Sequence, residues 1–180
     1  MNTMNHNSVE LVITIPEPHS TLLAYQVRCR TTLGVLIQLI SQAKNRIIIS
    51  SPFIQPSHRL ADGIIATAIQ TALQHGINID ILSTEQSLQS IDRTLLLQNA
   101  SGKLHFFQPS ANLIDQQKLG SHAKFCVADG QSAYVGSANL TSPGLSGQLE
   151  LGLLVSGEIA NQIEQFWNYA IAIGLFVPIH

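Results

Sequence analysis

Residues 122–139 read HAKFCVADGQSAYVGSAN, and this stretch decides the fold. Two strand-like runs flank Asp129-Gly130, a dipeptide suited to the positive φ angles of a tight hairpin turn. The spacing predicts one strand from His122 to Ala128 and a return arm from Ser132 to Val135. Side chains alternate along a strand, so His122 and Lys124 share one face. Ala123, Phe125 and Val127 point the other way, into apolar surroundings. An imidazole and an ammonium side by side do not belong in a core without partners. Ser137 and Asn139, again two apart, share a face just past the return arm, and Gly136 lets the backbone pass close to a ligand.

Downstream, a Gly/Ser/Asn/Pro-rich loop covers Gly136 to Gly147, and Leu149 to Val155 reads as a further strand. Glu150 stands inside that apolar run (LELGLLV), where a lone carboxylate is costly and calls for a partner. Ile159 to Ile173 is an amphipathic helix with Ile163, Phe166, Trp167 and Ala170 toward the core. Upstream, Leu33, Leu36, Ile37, Ile40 and Ala43 recur at helical spacing, with Thr31 or Thr32 as cap. Arg46 to Ser50 is a β-branched buried strand. A second helix covers about Leu60 to His75, with Ile64, Ile65, Ala68, Ile69, Ala72 and Leu73 on its core side and Gly76 as its stop. Ile77 to Leu82 is a strand, Glu85 to Asn99 a helix capped by Thr84, and Leu104 to Phe107 a strand. Val9 to Ile15 is a short strand stopped by Pro16 and Pro18. The first eight residues are polar and read as a frayed end. Strands separated by helices point to an α/β fold with parallel pairs. The division expected is an N-terminal segment, 1–20, partly flexible, followed by one domain, 21–180.

Composition narrows the class. The chain has 180 residues, 45% hydrophobic and 11% charged, which excludes bulk disorder. Nine Lys and Arg against eleven Asp and Glu give a net charge of -2. That excludes a generally basic, sequence-blind DNA coat and leaves room for a local basic cleft. Arg28, Arg30, Arg59 and Lys118 are either a phosphate-tracking rim or ordinary solvated charges. Cys29 and Cys126 are too few for a disulfide framework. Cys126 lies in phase with Lys124, as site floor or as a small buried filler. No Cys/His cluster has zinc-ligand spacing. No run reaches the roughly 18 apolar residues of a membrane span. No signal peptide is read at the start. The expectation is a cytoplasmic protein with no membrane partner.

The C-terminal half thus offers one imidazole, one ammonium, one hydroxyl, one carboxamide and one carboxylate. Lys124, Ser137 and Asn139 supply donors for a phosphate's oxygens. His122 supplies a nucleophile or proton carrier. Glu150 is placed to hold the other ring nitrogen and fix its tautomer, or else to pair with an Arg. This inventory calls for no metal and no cofactor. Asp129 sits in the turn, and turn chemistry explains it.

The spacing His122-x-Lys124-x4-Asp129, then Gly136-Ser137-x-Asn139, then Glu150, closely resembles the HKD motif of the phospholipase D superfamily. A lone HxK is weak; the full set in a strand–turn–strand context is strong. Ile47-Ile-Ile-Ser-Ser-Pro-Phe53 also looks like the strand and loop that enter the site in that superfamily. The stretch VGSANLTSPGLSGQLELGLLV is similar to the DrmC branch, a component of bacterial DISARM anti-phage systems.

The resemblance implies a mixed β-sheet flanked by helices, with one HKD half-site per chain. It implies catalytic roles for His122, Lys124, Asn139, Glu150, Ser137 and Asp129. It also implies a two-step phosphodiester reaction in which one His attacks phosphorus and a second His protonates the leaving oxygen. His58, His75 and His105 lack the pattern, so the second set is expected from a homodimer with the site at its two-fold interface. The leading expectation is a metal-independent nuclease, with possible protein partners in anti-phage defence. The alternatives are a phospholipid hydrolase or phosphatidyl transferase, and a weakly catalytic, phosphate-holding subunit of a defence complex.

Overall fold

The computed structural model describes residues 7–54, 63–115 and 118–179. The expected frayed end through residue 6, the helix start at Leu60, and His58 and Arg59 lie outside them. In chain order the elements are β1 (Val9–Thr14), α1 (Ser20–Val27), β2 (Arg30–Thr31), α2 (Thr32–Gln42), β3 (Arg46–Ser50), α3 (Ile64–Gln74), β4 (Asn78–Leu82), α4 (Glu85–Gln89), α5 (Arg93–Leu96), β5 (Leu104–Pro109), β6 (Ile114–Asp115), β7 (Lys118–Leu119), β8 (Phe125–Ala128), β9 (Ser132–Gly136), β10 (Glu150–Ser156), α6 (Glu158–Ala172) and β11 (Phe176–Ile179).

Among the described residues, nine strands form one mixed sheet in the order β11-β5-β4-β3-β8-β9-β10-β1-β2. β3, β4 and β5 run parallel, as the intervening helices require. The hairpin of β8 and β9 is inserted antiparallel beside β3. β1 pairs with β10 over its whole length, so a division at residue 20 falls within the sheet-bearing part of the chain.

Helices cover both faces. On one side Val35, Leu36, Leu39 and Ile40 of α2 and Ile65, Ile69 and Leu73 of α3 pack on Ile47, Ile49, Ile79 and Ile81. On the other, Trp167 of α6 is fully buried against Ile48, Leu82, Phe107, Phe125 and Val127. Trp167 meets Phe107 edge-on at 5.2 Å, an aromatic geometry favoured by the ring quadrupoles.

Several expectations need correction. The run 85–99 is two short helices, because Asp92 accepts from the Leu95 amide and restarts the helix as a new cap. Ile64 and Phe166 are half-exposed; Ala66 takes the core position beside Ile65, and Phe166 meets Phe176 edge-on at the rim. The strand expected from His122 begins at Phe125, so His122 and Lys124 lie in the segment that enters it. The return arm extends one residue further, to Gly136. α1, β2, the two-residue hairpin of β6 and β7, and the edge strand β11 were not read from the sequence. Pro178 fits β11 because that strand has a neighbour on one side only.

Candidate active site

The carboxyl ends of β3, β4 and β5 open where β8 begins, β9 ends and β10 begins. Ligand sites favour this end of an α/β sheet. Three segments are stitched together there. Ser50 Oγ donates to the Ala123 carbonyl at 2.9 Å, fixing the peptide between His122 and Lys124. The Gly136 amide donates to the Lys124 carbonyl at 3.1 Å. Ser51 Oγ accepts from the Leu140 amide at 3.1 Å and donates to the Phe53 carbonyl at 2.8 Å, joining the loop after β3 to the loop after β9. The sequence Ile47–Phe53 therefore does enter the site.

His122 is exposed and Lys124 is buried. The Lys124 ammonium lies 3.1 Å from His122 Nδ1 and 3.3 Å from Nε2, and donates to the His122 carbonyl at 2.8 Å. Burial lowers the Lys124 pKa, and the Glu150 carboxylate opposes that shift. Glu150 is the first residue of β10 and half-buried; its carboxylate accepts the Ser137 hydroxyl hydrogen. Ser137 in turn accepts from the Leu151 amide at 3.1 Å. Glu150 thus accepts from Ser137, and its charge acts on Lys124, the lysine beside the His122 ring. Asn139 is partly buried, and its Oδ1 has no hydrogen-bond partner among the described residues.

Asp129 stands apart. It follows β8 whereas His122 precedes it, so about 13 Å of strand separates them. Its φ is 53° and that of Gly130 is 61°, the paired positive angles of the predicted turn. Its carboxylate accepts the amides of Lys44 at 2.7 Å, Asn45 at 2.9 Å and Arg46 at 2.9 Å. The turn role read for Asp129 has a partner: this side chain clamps the hairpin to the start of β3. The expectation for Gly136 also changes, since the space above it is filled by Tyr134. Cys126 is fully buried filler, its thiol pushed up to about 12 by burial. Arg30 pairs with Glu10 and Gln38. Among the described residues no group of three His, Cys, Asp or Glu is placed to hold a metal ion.

Lys124 carries a stability prediction. The buried ammonium is penalised in the folded state, so Lys124→Met is expected to raise the melting temperature at neutral pH while removing activity. As pH rises through the lowered folded-state pKa, the wild-type lysine sheds its proton and the penalty fades. The variant's advantage therefore shrinks toward alkaline pH. Thermal melts across pH check this; an advantage that grows with pH would contradict it.

A family model described as cardiolipin synthase, PLD-like domain, matches residues 36–170. The DISARM protein DrmC of Bacillus paralicheniformis (strain ATCC 9945a / NCIMB 11709 / CD-2) is 29% identical over 157 residues, covering 84% of this chain and 58% of that protein. The chain thus spans little more than half the length of this relative. Among solved structures, NucT from Helicobacter pylori superposes with a TM-score of 0.65 at 18% identity, covering 93% of this chain and 97% of that one. Nuc from Salmonella typhimurium, a phospholipase D family member, gives 0.63 at 15% identity, covering 97% and 99%. Phosphatidylserine synthase from Haemophilus influenzae Rd KW20 gives 0.68 at 16% identity, covering 99% of this chain and 41% of that one. These three likenesses concern the fold alone. Among the described residues no helix is long and apolar enough to cross a membrane.

Proposed function

The chain belongs to the phospholipase D-like family, and we propose that within it the protein is a metal-independent nuclease that works as a homodimer. The observation that carries this reading is the Lys124 ammonium resting 3.1 Å and 3.3 Å from the two ring nitrogens of His122. In the free protein the ammonium stands within hydrogen-bonding distance of the ring nitrogens. A substrate phosphate oxygen is the stronger acceptor for that ammonium, so binding draws Lys124 off the ring and frees the nucleophile.

The free ring nitrogen attacks phosphorus, a nitrogen–phosphorus bond forms, and the phosphorus–oxygen bond to the leaving group breaks. The departing oxygen takes a proton from a second imidazole, His122 of another copy. Water then gives its proton back to that second ring and its oxygen to phosphorus, and the nitrogen–phosphorus bond breaks. Lys124, Ser137 and Asn139 hold the non-bridging oxygens as charge builds on them. Glu150 counters the charge of Lys124 between turnovers.

A second copy fits beside this site. Val135 is 42% exposed, Leu149 73%, Leu151 58% and Leu153 40%. Val135 and Leu153 are register partners, and Leu151 shares their face, continuing to Ser137. An apolar strip next to a half-site suits an isologous contact. The similarity to DrmC supports a cytoplasmic role in anti-phage defence, with other proteins of such a system as partners.

The test uses labelled single- and double-stranded DNA and RNA in excess EDTA, with sedimentation in parallel. Expected are cleavage in chelator and a dimer at micromolar concentration. Strict dependence on added divalent metal, or turnover by a monomer, would overturn the corresponding part. Phosphatidylcholine vesicles serve as the lipid arm, where no turnover is expected.

A further inference from the structure

Gly136 and Gly152 are register partners across β9 and β10. Neither adopts a positive φ, so the absent side chain concerns space rather than backbone conformation. The space belongs to Tyr134, two residues before Gly136 on the same strand face and 2% exposed. A methyl added at Gly136 would stand 2.3 Å from the Tyr134 phenolic oxygen and 2.7 Å from Cζ. One added at Gly152 would stand 2.5 Å from Tyr134 Cε2 and 2.8 Å from the Val135 carbonyl. The ring therefore lies along β9 across the glycine pair, its oxygen reaching the site end of the sheet.

That end is where the chemistry begins. Gly136 immediately precedes Ser137, and Gly152 lies two residues after Glu150 on its face. The ring thus lies against the two glycines that neighbour Ser137 and Glu150, the partners of that hydrogen bond. Around the phenol stand the Thr32 side chain in the first turn of α2, the Ala138 backbone and the charge of Glu150. The phenolic oxygen has no completed hydrogen bond among the described residues. Burial pushes its pKa up, the nearby Thr32 side chain and Ala138 backbone oppose that, and the Glu150 charge adds to the rise, so a neutral phenol is held there.

We propose that Tyr134 is a positioning residue of this site: its ring, laid across the Gly136–Gly152 pair, sets where Ser137 and Glu150 stand and, through Glu150, where the Lys124 ammonium rests. The activity arm of its test rests on the phosphodiesterase reading; the binding arm does not.

At Gly136 the tightest of three clashes is with the phenolic oxygen, which Tyr134→Phe removes, while Cζ and the Gly152 Cα at 2.9 Å stay; at Gly152 no clashing atom is removed. Four variants separate the cases: Gly136→Ala, Gly152→Ala, and each combined with Tyr134→Phe. On bis-(p-nitrophenyl) phosphate, Gly136→Ala is expected to lower kcat about 100-fold, the scale of an ångström of misplacement. KM should stay within about threefold, since binding is not the step disturbed. Removing the phenolic oxygen relieves the tightest of the three contacts, so Tyr134→Phe/Gly136→Ala should regain part of the loss, about threefold or more over Gly136→Ala, a coupling that neighbours in contact show. Tyr134→Phe/Gly152→Ala should regain nothing, because Cε2 and the Val135 carbonyl remain. In parallel, inorganic phosphate is titrated while the His122 ring protons are followed by NMR. The response should weaken in Gly136→Ala and return in part in its double variant.

If the wild type turns over no phosphodiester, the functional reading fails, and the phosphate titration still decides the positioning role. Tyr134→Leu, which empties the ring position and leaves both glycines, should show the same loss of kcat at steady KM. Wild-type kcat in Gly136→Ala or Tyr134→Leu, or equal rescue of both glycine variants, would overturn the proposal.

Discussion

His122→Asn is expected to lose at least about 10⁴-fold in kcat on a phosphodiester, the scale seen when a nucleophile is removed. The side chain is exposed, and the Lys124 ammonium keeps its 2.8 Å bond to the residue's carbonyl oxygen, so the fold should survive unchanged. Asparagine offers an amide in place of the ring and cannot form the bond to phosphorus. A mixed dimer of one wild-type and one His122→Asn copy separates nucleophile from acid. Bis-(p-nitrophenyl) phosphate releases p-nitrophenolate, which needs no proton to leave, so the surviving imidazole should still form its adduct. A nucleic acid releases an alkoxide, which does need one, so the same mixed dimer should be nearly inactive on DNA or RNA. Undiminished hydrolysis by the His122→Asn homodimer would remove the phosphohistidine reading. Equal activity of the mixed dimer on both substrates would remove the shared site.

Elements whose signals are local were legible in the sequence. The β-branched run Ile47–Ile49 is a buried strand, and Thr31 and Thr84 cap their helices through the Gly34 and Ser87 amides. Asp129-Gly130 makes its turn because both residues tolerate positive φ. The HKD spacing named His122, Lys124, Ser137 and Glu150, which the structure gathers at one end of the sheet. What escaped depends on register. That Gly136 faces Gly152 follows from the pairing of β9 with β10, and the role of Tyr134 follows only from that. Tyr134 and Gly136 two apart on one face were visible; the second glycine beneath the ring was not. The Ser137 hydrogen bond of Glu150 escaped for a similar reason. Ser137 reaches it from the end of the neighbouring strand β9, and no linear spacing says which polar neighbour stands nearest. β11 escaped because it is an edge strand, held by the sheet more than by its own propensity.

Asp129 gives the largest expected effect on stability, and it separates the motif's chemistry from its architecture. Its carboxylate accepts three consecutive amides, at 2.7, 2.9 and 2.9 Å, from the turn that starts β3. The same residue donates its own amide to the Arg46 carbonyl at 3.0 Å. β3 is the strand whose far end supplies Ser50 and Ser51 to the site, so this clamp sets the register of the strand on which the site leans. Removing an ionised acceptor costs about 1.5–3 kcal/mol per hydrogen bond where the donors stay dry. Lys44 and Asn45 are partly or fully exposed and regain water, which lowers the total. Alanine at a φ of 53° adds backbone strain that aspartate tolerates better. Asp129→Ala should therefore lose about 3 kcal/mol, a drop of roughly 10 °C in Tm for a chain of this size. Asp129→Asn keeps one side-chain oxygen and the tolerance for positive φ, and should lose about half as much. Below its own melting range, Asp129→Ala should keep kcat within about threefold of wild type, because no reacting group has been touched. A variant that melts like the wild type but no longer turns over would return this aspartate to the chemistry.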